Sequence, residues 1–210
     1  MEDEENSETI DLPPSLQEDE FIIEKKFLSI GNQYHIKNDR RNEVGFCEEE
    51  SLKLKGELKV YDGSEKEKEL FRIKQENFID MSGSFKVVNE EREKVIGFLK
   101  RKLPKSALLS DWDIMDQDRK VIGSATEDSI VKELIRFKVL RKLPYRYKLY
   151  QDDKKIGVCK QRLTMLKNVY RLKVERELEP KIDKRLLLSL GILLDAVEGK
   201  YRKMRRVFRF

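Results

Sequence analysis

The chain has 210 residues, enough for one domain with a sizeable core and too few for two catalytic domains. Charged residues make up 40% and hydrophobic ones 39%, which excludes a wholly disordered chain; no apolar run is long enough for a membrane-spanning helix. The formal net charge of +5 hides an uneven distribution: residues 1–20 carry nine acids and no base, so residues 21–210 hold all 45 Lys and Arg against 31 acids. Such a body attracts nucleic acid, anionic lipid headgroups or acidic protein, and charge by itself does not choose between them.

The opening Met1-Glu2-Asp3-Glu4-Glu5 lacks the basic and apolar regions of a secretory leader. A cytoplasmic location is therefore expected, with peripheral attachment to a membrane as the extension of that reading. Residues 1–20, acidic and containing Pro13-Pro14, read as a flexible tail before a domain that starts at Phe21. Beyond it a hairpin-length unit recurs: an alternating apolar strand, an Asn or Asp turn, and a return strand entered through a β-branched residue followed by Gly. The copies run from Tyr34-His35-Ile36 to Val44-Gly45, from Phe85-Lys86-Val87-Val88 to Val95-Ile96-Gly97, from Trp112-Asp113-Ile114-Met115 to Val121-Ile122-Gly123, and from Tyr147-Lys148-Leu149-Tyr150 to Ile156-Gly157. A fifth, Leu58 to Asp62-Gly63, has the turn without the later Gly. Asn and Asp tolerate the left-handed backbone of tight turns and Gly permits a bend or bulge, so the units predict successive hairpins. Each hairpin has an apolar face to cover, which favours an antiparallel sheet curled into a barrel or sandwich.

Two segments break the period of two. After Asp128-Ser129 as an N-cap, Ile130, Val131, Leu134 and Ile135 share one helical face up to Phe137, which predicts a short surface helix. The second, Leu186 to Val197, is apolar nearly all round, with Pro180 and Asp183 as start signals and Gly199 as a stop. A helix apolar on every side must be buried on every side, and twelve residues rise only about 18 Å, short of the roughly 30 Å hydrocarbon core. The simplest arrangement threads helix 184–197 through a closed antiparallel β-barrel, with Leu187, Leu190, Ile192, Leu193 and Leu194 inside. Residues 199–210 then form a basic-aromatic tail.

The sequence resembles the tubby C-terminal-like superfamily, and within it the LURP-one-related and phospholipid-scramblase-like proteins. The resemblance rests on Phe98-Leu99-Lys100-Arg101-Lys102, on Trp112-Asp113-Ile114-Met115-Asp116 running to Gly123, on Leu143-Pro144-Tyr145-Arg146-Tyr147, and on Asp183 through Asp195. It covers about residues 21–198. It implies a mainly β (α+β) fold, a closed barrel of about twelve strands around that last helix, a non-enzymatic or unassigned biochemical role, and, as in some relatives, binding of phosphoinositides or movement of phospholipids.

Catalytic and metal chemistry find little support. Cys47 and Cys159 lie two residues after the repeat Gly, where other copies have Leu99 and Ala125, so both read as core. His35 is the single His and lacks the partners that a metal site or a catalytic base requires. No G-x-S-x-G, H-E-x-x-H, P-loop or dinucleotide fingerprint occurs, so no enzyme activity and no cofactor are expected. Asp116, Asp118 and Glu127 mimic three positions of a calcium loop, but Lys120 and Val121 stand where a ligand and Gly are required; a hairpin turn is expected instead.

The basic surface remains. Lys132, Arg136, Lys138, Arg141, Lys142, Arg146 and Lys148 crowd a stretch opposed only by Glu133, and the tail adds Lys200, Arg202, Lys203, Arg205 and Arg206 among Tyr201, Val207, Phe208 and Phe210. Both patches suit an anionic membrane interface, with anionic phospholipid or phosphoinositide as the partner. A nucleic-acid-binding or protein-interaction module is the alternative, the former less favoured because no recognition-helix or RNP-like pattern appears. An enzyme site assembled from distant residues would leave no such signature. Opposite charge further suggests that segment 2–20 folds back on the patches and weakens their hold on anionic surfaces.

Overall fold

The computed structural model describes residues 12–26, 31–50, 57–76, 83–89, 91, 93–102, 111–128, 144–163, 168–178 and 181–197. In chain order the strands are β1 (Glu20–Lys25), β2 (Gln33–Lys37), β3 (Glu43–Glu49), β4 (Glu57–Tyr61), β5 (Glu69–Gln75), β6 (Ser84–Asn89), β7 (Lys94–Lys102), β8 (Asp111–Met115), β9 (Val121–Glu127), β10 (Arg146–Gln151), β11 (Lys154–Leu163) and β12 (Asn168–Val174). Each pairs antiparallel with the next, and β12 returns to pair with β1, closing a barrel of twelve strands. A helix, α1 (Lys184–Ala196), follows. Closure leaves no sheet edge, and the period-two pattern sends one residue in two into the lumen.

All five repeat units are hairpins, and the registers show what the recurring spacing does. Ile36 faces Gly45 while Lys37 faces Glu43, so Val44 is an extra, bulged residue. The same slip leaves Ile96, Ile122 and Ile156 unpaired just before Gly97, Gly123 and Gly157. The β-branched residue is therefore the bulge, and the Gly after it admits the neighbouring strand. A Cβ at Gly123 would stand 2.7 Å from the Tyr150 carbonyl oxygen and 2.5 Å from Ile182 Cδ1; at Gly97 it would collide with the Met115 carbonyl oxygen. In the copy without Gly, Leu70 is the bulged residue and Phe71 takes the Gly position. Repeated bulges add the twist and bend that a closed barrel needs.

The lumen is filled by α1. Leu186, Leu187, Leu190, Ile192, Leu193 and Leu194 are each at most 1% exposed, against Phe21, Ile36, Phe71, Trp112 and Tyr147 from the wall. Asp183 is the N-cap, its carboxylate accepting from the Arg185 backbone N–H at 2.8 Å. Gly191 brings the helix against β1: a Cβ there would lie 2.6 Å from Ile23 Cδ1. Cys47 and Cys159 are buried in the same core, as their repeat position required. Burial pushes the Cys159 thiol up to about 12 and that of Cys47 higher still.

The described fold includes residues before the expected boundary at Phe21. A 3-10 turn at Pro14–Leu16 buries Leu16, which is 1% exposed, and β1 starts at Glu20. Lys184 Nζ donates to the carbonyl oxygens of Gln17 and Glu18 and to Asp19 Oδ1 at 2.7–2.9 Å, so residues 12–19 are strapped across the barrel end where α1 enters. An acidic stretch packs here because a single Leu and the Lys184 ammonium give it an apolar and an ionic anchor. Residues 1–11, the expected helix beyond Asp128, the stop at Gly199 and the tail 199–210 lie outside the described residues.

Candidate anion-binding surface

The tight turns of the five hairpins gather at the end where α1 starts, and Asp195 marks the opposite end. Asp195, 2% exposed in the last turn of the helix, accepts from Lys25 Nζ at 2.7 Å, Tyr34 Oη at 3.0 Å and Asn168 Nδ2 at 2.9 Å. Lys25 also donates to Asn32 Oδ1 at 2.7 Å, and Asn32 Nδ2 donates to Glu49 Oε2 at 2.6 Å. A carboxylate at a helix C-terminus opposes the macrodipole, so these donors are what hold it there. Burial, then the adjacent Asp195 charge, raises the Tyr34 phenol well above its ordinary range. The network ties α1 to β1, β2 and β12, and the pairing of Lys25 with Asp195 at its centre makes it a fastening.

A cleft of about 210 Å³ lies under the strap at the hairpin end, lined by Leu12, Pro13, Pro14, Leu70, Asn89 and charged neighbours. Its cations are occupied: Lys68 pairs with Glu91 at 2.6 Å and Arg185 with Asp183 at 2.6 Å. His35 is on the outer wall, Nδ1 2.7 Å from Glu43 Oε2 and edge-on to Phe46. Burial disfavours the Glu43 carboxylate, but hydrogen bonds from Ser64 and His35 outweigh it and hold the acid below its ordinary range. Asp116 closes its turn by accepting from the Asp118 and Lys120 N–H groups, both at 2.9 Å. Glu127 lies at the far end of β9, roughly 20 Å along the strand, so the two cannot share one ion. Among the described residues no His, Cys, Asp and Glu group could hold a metal.

The outer wall is electrostatically lopsided. Strands β1 to β9 carry ten Lys and Arg against ten Asp and Glu. Strands β10 to β12 carry eight Lys and Arg and no acid. Arg146 faces Lys160 across β10 and β11, and Lys160 faces Arg171 across β11 and β12, so three cations stand directly opposed in one row. Arg162 is two residues along the strand from Lys160 on the same exposed face, and Lys148 and Lys173 flank Val158 one step the other way. Directly opposed Cβ atoms are about 5 Å apart and diagonal ones about 7–8 Å, so Lys160 is ringed by five cations.

Among the described residues, acids meet this face only at its borders. Asp128, 4% exposed at the end of β9, pairs with Arg146 at 3.2 Å and Lys148 at 3.1 Å; Glu20 pairs with Arg171 at 3.0 Å, and Glu175 with Lys155 at 3.2 Å. Lys160, Arg162 and Lys173 have no ion-pair partner among the described residues. Thus Arg146 and Lys148 do belong to a basic surface, but Asp128, four residues before the stretch read as nearly acid-free, already engages both. Lys132, Arg136, Lys138, Arg141, Lys142, Lys200, Arg202, Lys203, Arg205 and Arg206 lie outside the described residues. Sequence reasoning missed Lys160, Arg162, Arg171 and Lys173, whose signal was three consecutive strands without an acid. Of the acidic segment, Asp19 pairs with Arg176 and Lys184 and Glu20 with Arg171, while Glu18 accepts from Asn38 Nδ2 at 3.1 Å, so two of its three described acids meet cations of α1 and the β12 border.

Comparison with known proteins gives a family and a fold. The LURP-one-related family profile matches residues 19–195. A solved X-ray structure of a protein from Arabidopsis thaliana superposes with a TM-score of 0.50 at 13% identity, over 85% of this chain and 92% of that one. No curated protein sequence matches. Among the described residues no helix is long and apolar enough to cross a membrane.

Proposed function

Because the chain belongs to the LURP-one-related family, whose tubby-like barrel fixes no chemistry by itself, we propose that it is a non-enzymatic module docking on anionic phospholipid headgroups through the β10–β12 wall. The observation that carries this reading is the acid-free face with like charges in direct cross-strand register, an arrangement that costs stability until an anion neutralises it. Its Lys residues supply point charges and its Arg residues bidentate forks for phosphate oxygens. Nucleic acid fits less well, because Tyr147 and Tyr170 of these strands turn inward, and among their described residues Tyr150, itself half-buried, is the one ring left for a base to stack on. Lipid transport through the barrel is not part of the proposal, since α1 fills the lumen. Docking on a wall sets the barrel axis along the membrane plane, at the cytoplasmic surface.

Vesicle co-sedimentation tests this. At low salt the protein is expected on phosphatidylserine vesicles and not on phosphatidylcholine alone. The triple variant Lys160→Glu, Arg162→Glu, Lys173→Glu should weaken binding by two orders of magnitude or more, since each cation near the surface contributes about 1 kcal/mol. Binding unchanged in that variant, or equally strong binding to an oligonucleotide that competes with the vesicles, would remove the support for a lipid-docking wall.

A further inference from the structure

The ring of cations is more specific than a docking surface requires. A membrane of single negative charges is matched by cations spread over a face; here Lys160 is crowded by Arg146 and Arg171 at strand spacing, with Arg162, Lys148 and Lys173 around them. The two Arg residues of the row are each paired with an acid at the border of the face, Arg146 with Asp128 at 3.2 Å and Arg171 with Glu20 at 3.0 Å. Such exposed ion pairs are worth little and yield to a stronger anion. At the centre the Lys160 ammonium has no ion-pair partner of its own among the described residues, within a Debye length of five cations. A dianionic phosphate group fits this place: it has oxygens for two Arg forks and a central ammonium, and it offsets more than one positive charge where a carboxylate offsets one.

Resting on the docking reading, we propose that Lys160 is the centre of a subsite for one phosphate monoester group, with Arg146 and Arg171 as its flanking clamps. Such a group could arrive on a lipid headgroup or on a soluble phosphorylated ligand. The subsite makes Lys160 a residue held at the expense of stability, and this separates it from a merely solvated lysine.

The test compares Lys160→Gln with Lys120→Gln, a substitution of equal charge at the exposed β8–β9 turn, in the full chain. Lys160→Gln is expected to raise the melting temperature at low ionic strength, with the gain fading in salt. It should also lower affinity for phosphatidic acid vesicles by about fivefold and abolish the preference of the native protein for phosphatidic acid over phosphatidylserine at equal surface charge. Lys120→Gln should do neither. If the native protein shows no such preference, or the two variants behave alike, the subsite is wrong while docking stands. If the native protein binds neither vesicle, docking is wrong. In that case a pyrophosphate-induced rise in melting temperature that Lys160→Gln abolishes would support a site for soluble phosphate ligands, and no rise would overturn the subsite as well.

Discussion

A chain ending at Lys181 is expected to show no cooperative melting transition and to be recovered as aggregate. Its loss is the helix that fills the barrel: Leu186, Leu187, Leu190, Ile192, Leu193 and Leu194 come from that single element. Each is worth about 1.5–3 kcal/mol when buried, so the six together are worth about 9–18 kcal/mol, as much as the roughly 5–15 kcal/mol net stability of an ordinary domain. The shortened chain would have to keep twelve strands around a void or collapse into another sheet. Calorimetry and circular dichroism decide the matter; a soluble product with a sharp two-state transition would show that the wall packs without its helix. Within the intact chain, Leu190→Ala should cost about 2–5 kcal/mol, because a site enclosed by wall and helix has little room to relax.

Asp195→Ala is expected to destabilise by about 3 kcal/mol, with Asp195→Asn between it and the native protein. Removing the carboxylate strands the Lys25 ammonium, the Tyr34 hydroxyl and the Asn168 amide together, and a broken buried charge pair typically costs about 3–5 kcal/mol. The lower end applies because the Lys25 side chain keeps 30% exposure. Asn restores an acceptor for Lys25 and Tyr34 but turns an NH2 towards the Asn168 amide, two donors face to face. Urea denaturation gives the order. Equal stability of all three proteins would mean that the network is ornamental and that apolar packing alone seats the helix end.

The barrel and its plug were legible because both are written in local periods. A bulge needs one surplus apolar residue and a bare Gly beside it, so Val44-Gly45 and its repeats carry the geometry within a few residues. Leu186 to Val197 carries its burial in composition. The Asp195 fastening was not legible, because its partners Lys25 and Tyr34 lie 170 and 161 residues away and only barrel closure brings them together. The basic wall was half legible. A window along the chain finds Arg146 and Lys148, but the face is defined across strands, where Lys160 and Arg171 meet Arg146 through pairings that no contiguous stretch displays. The same limitation hid Asp128 as the partner of Arg146 and Lys148, and hid the strap at residues 12–19, whose burial depends on one Leu and on Lys184.

Lysine acylation with mass-spectrometric readout, performed on the protein in solution and on phosphatidylserine vesicles, tests the docking wall most directly. Lys160 and Lys173 should lose reactivity on the vesicles, while Lys86 and Lys100, on the balanced wall at β6 and β7, keep theirs. Vesicle-bound protein with Lys160 and Lys173 as reactive as in solution, or with protection centred on Lys86 and Lys100, would contradict docking through β10–β12.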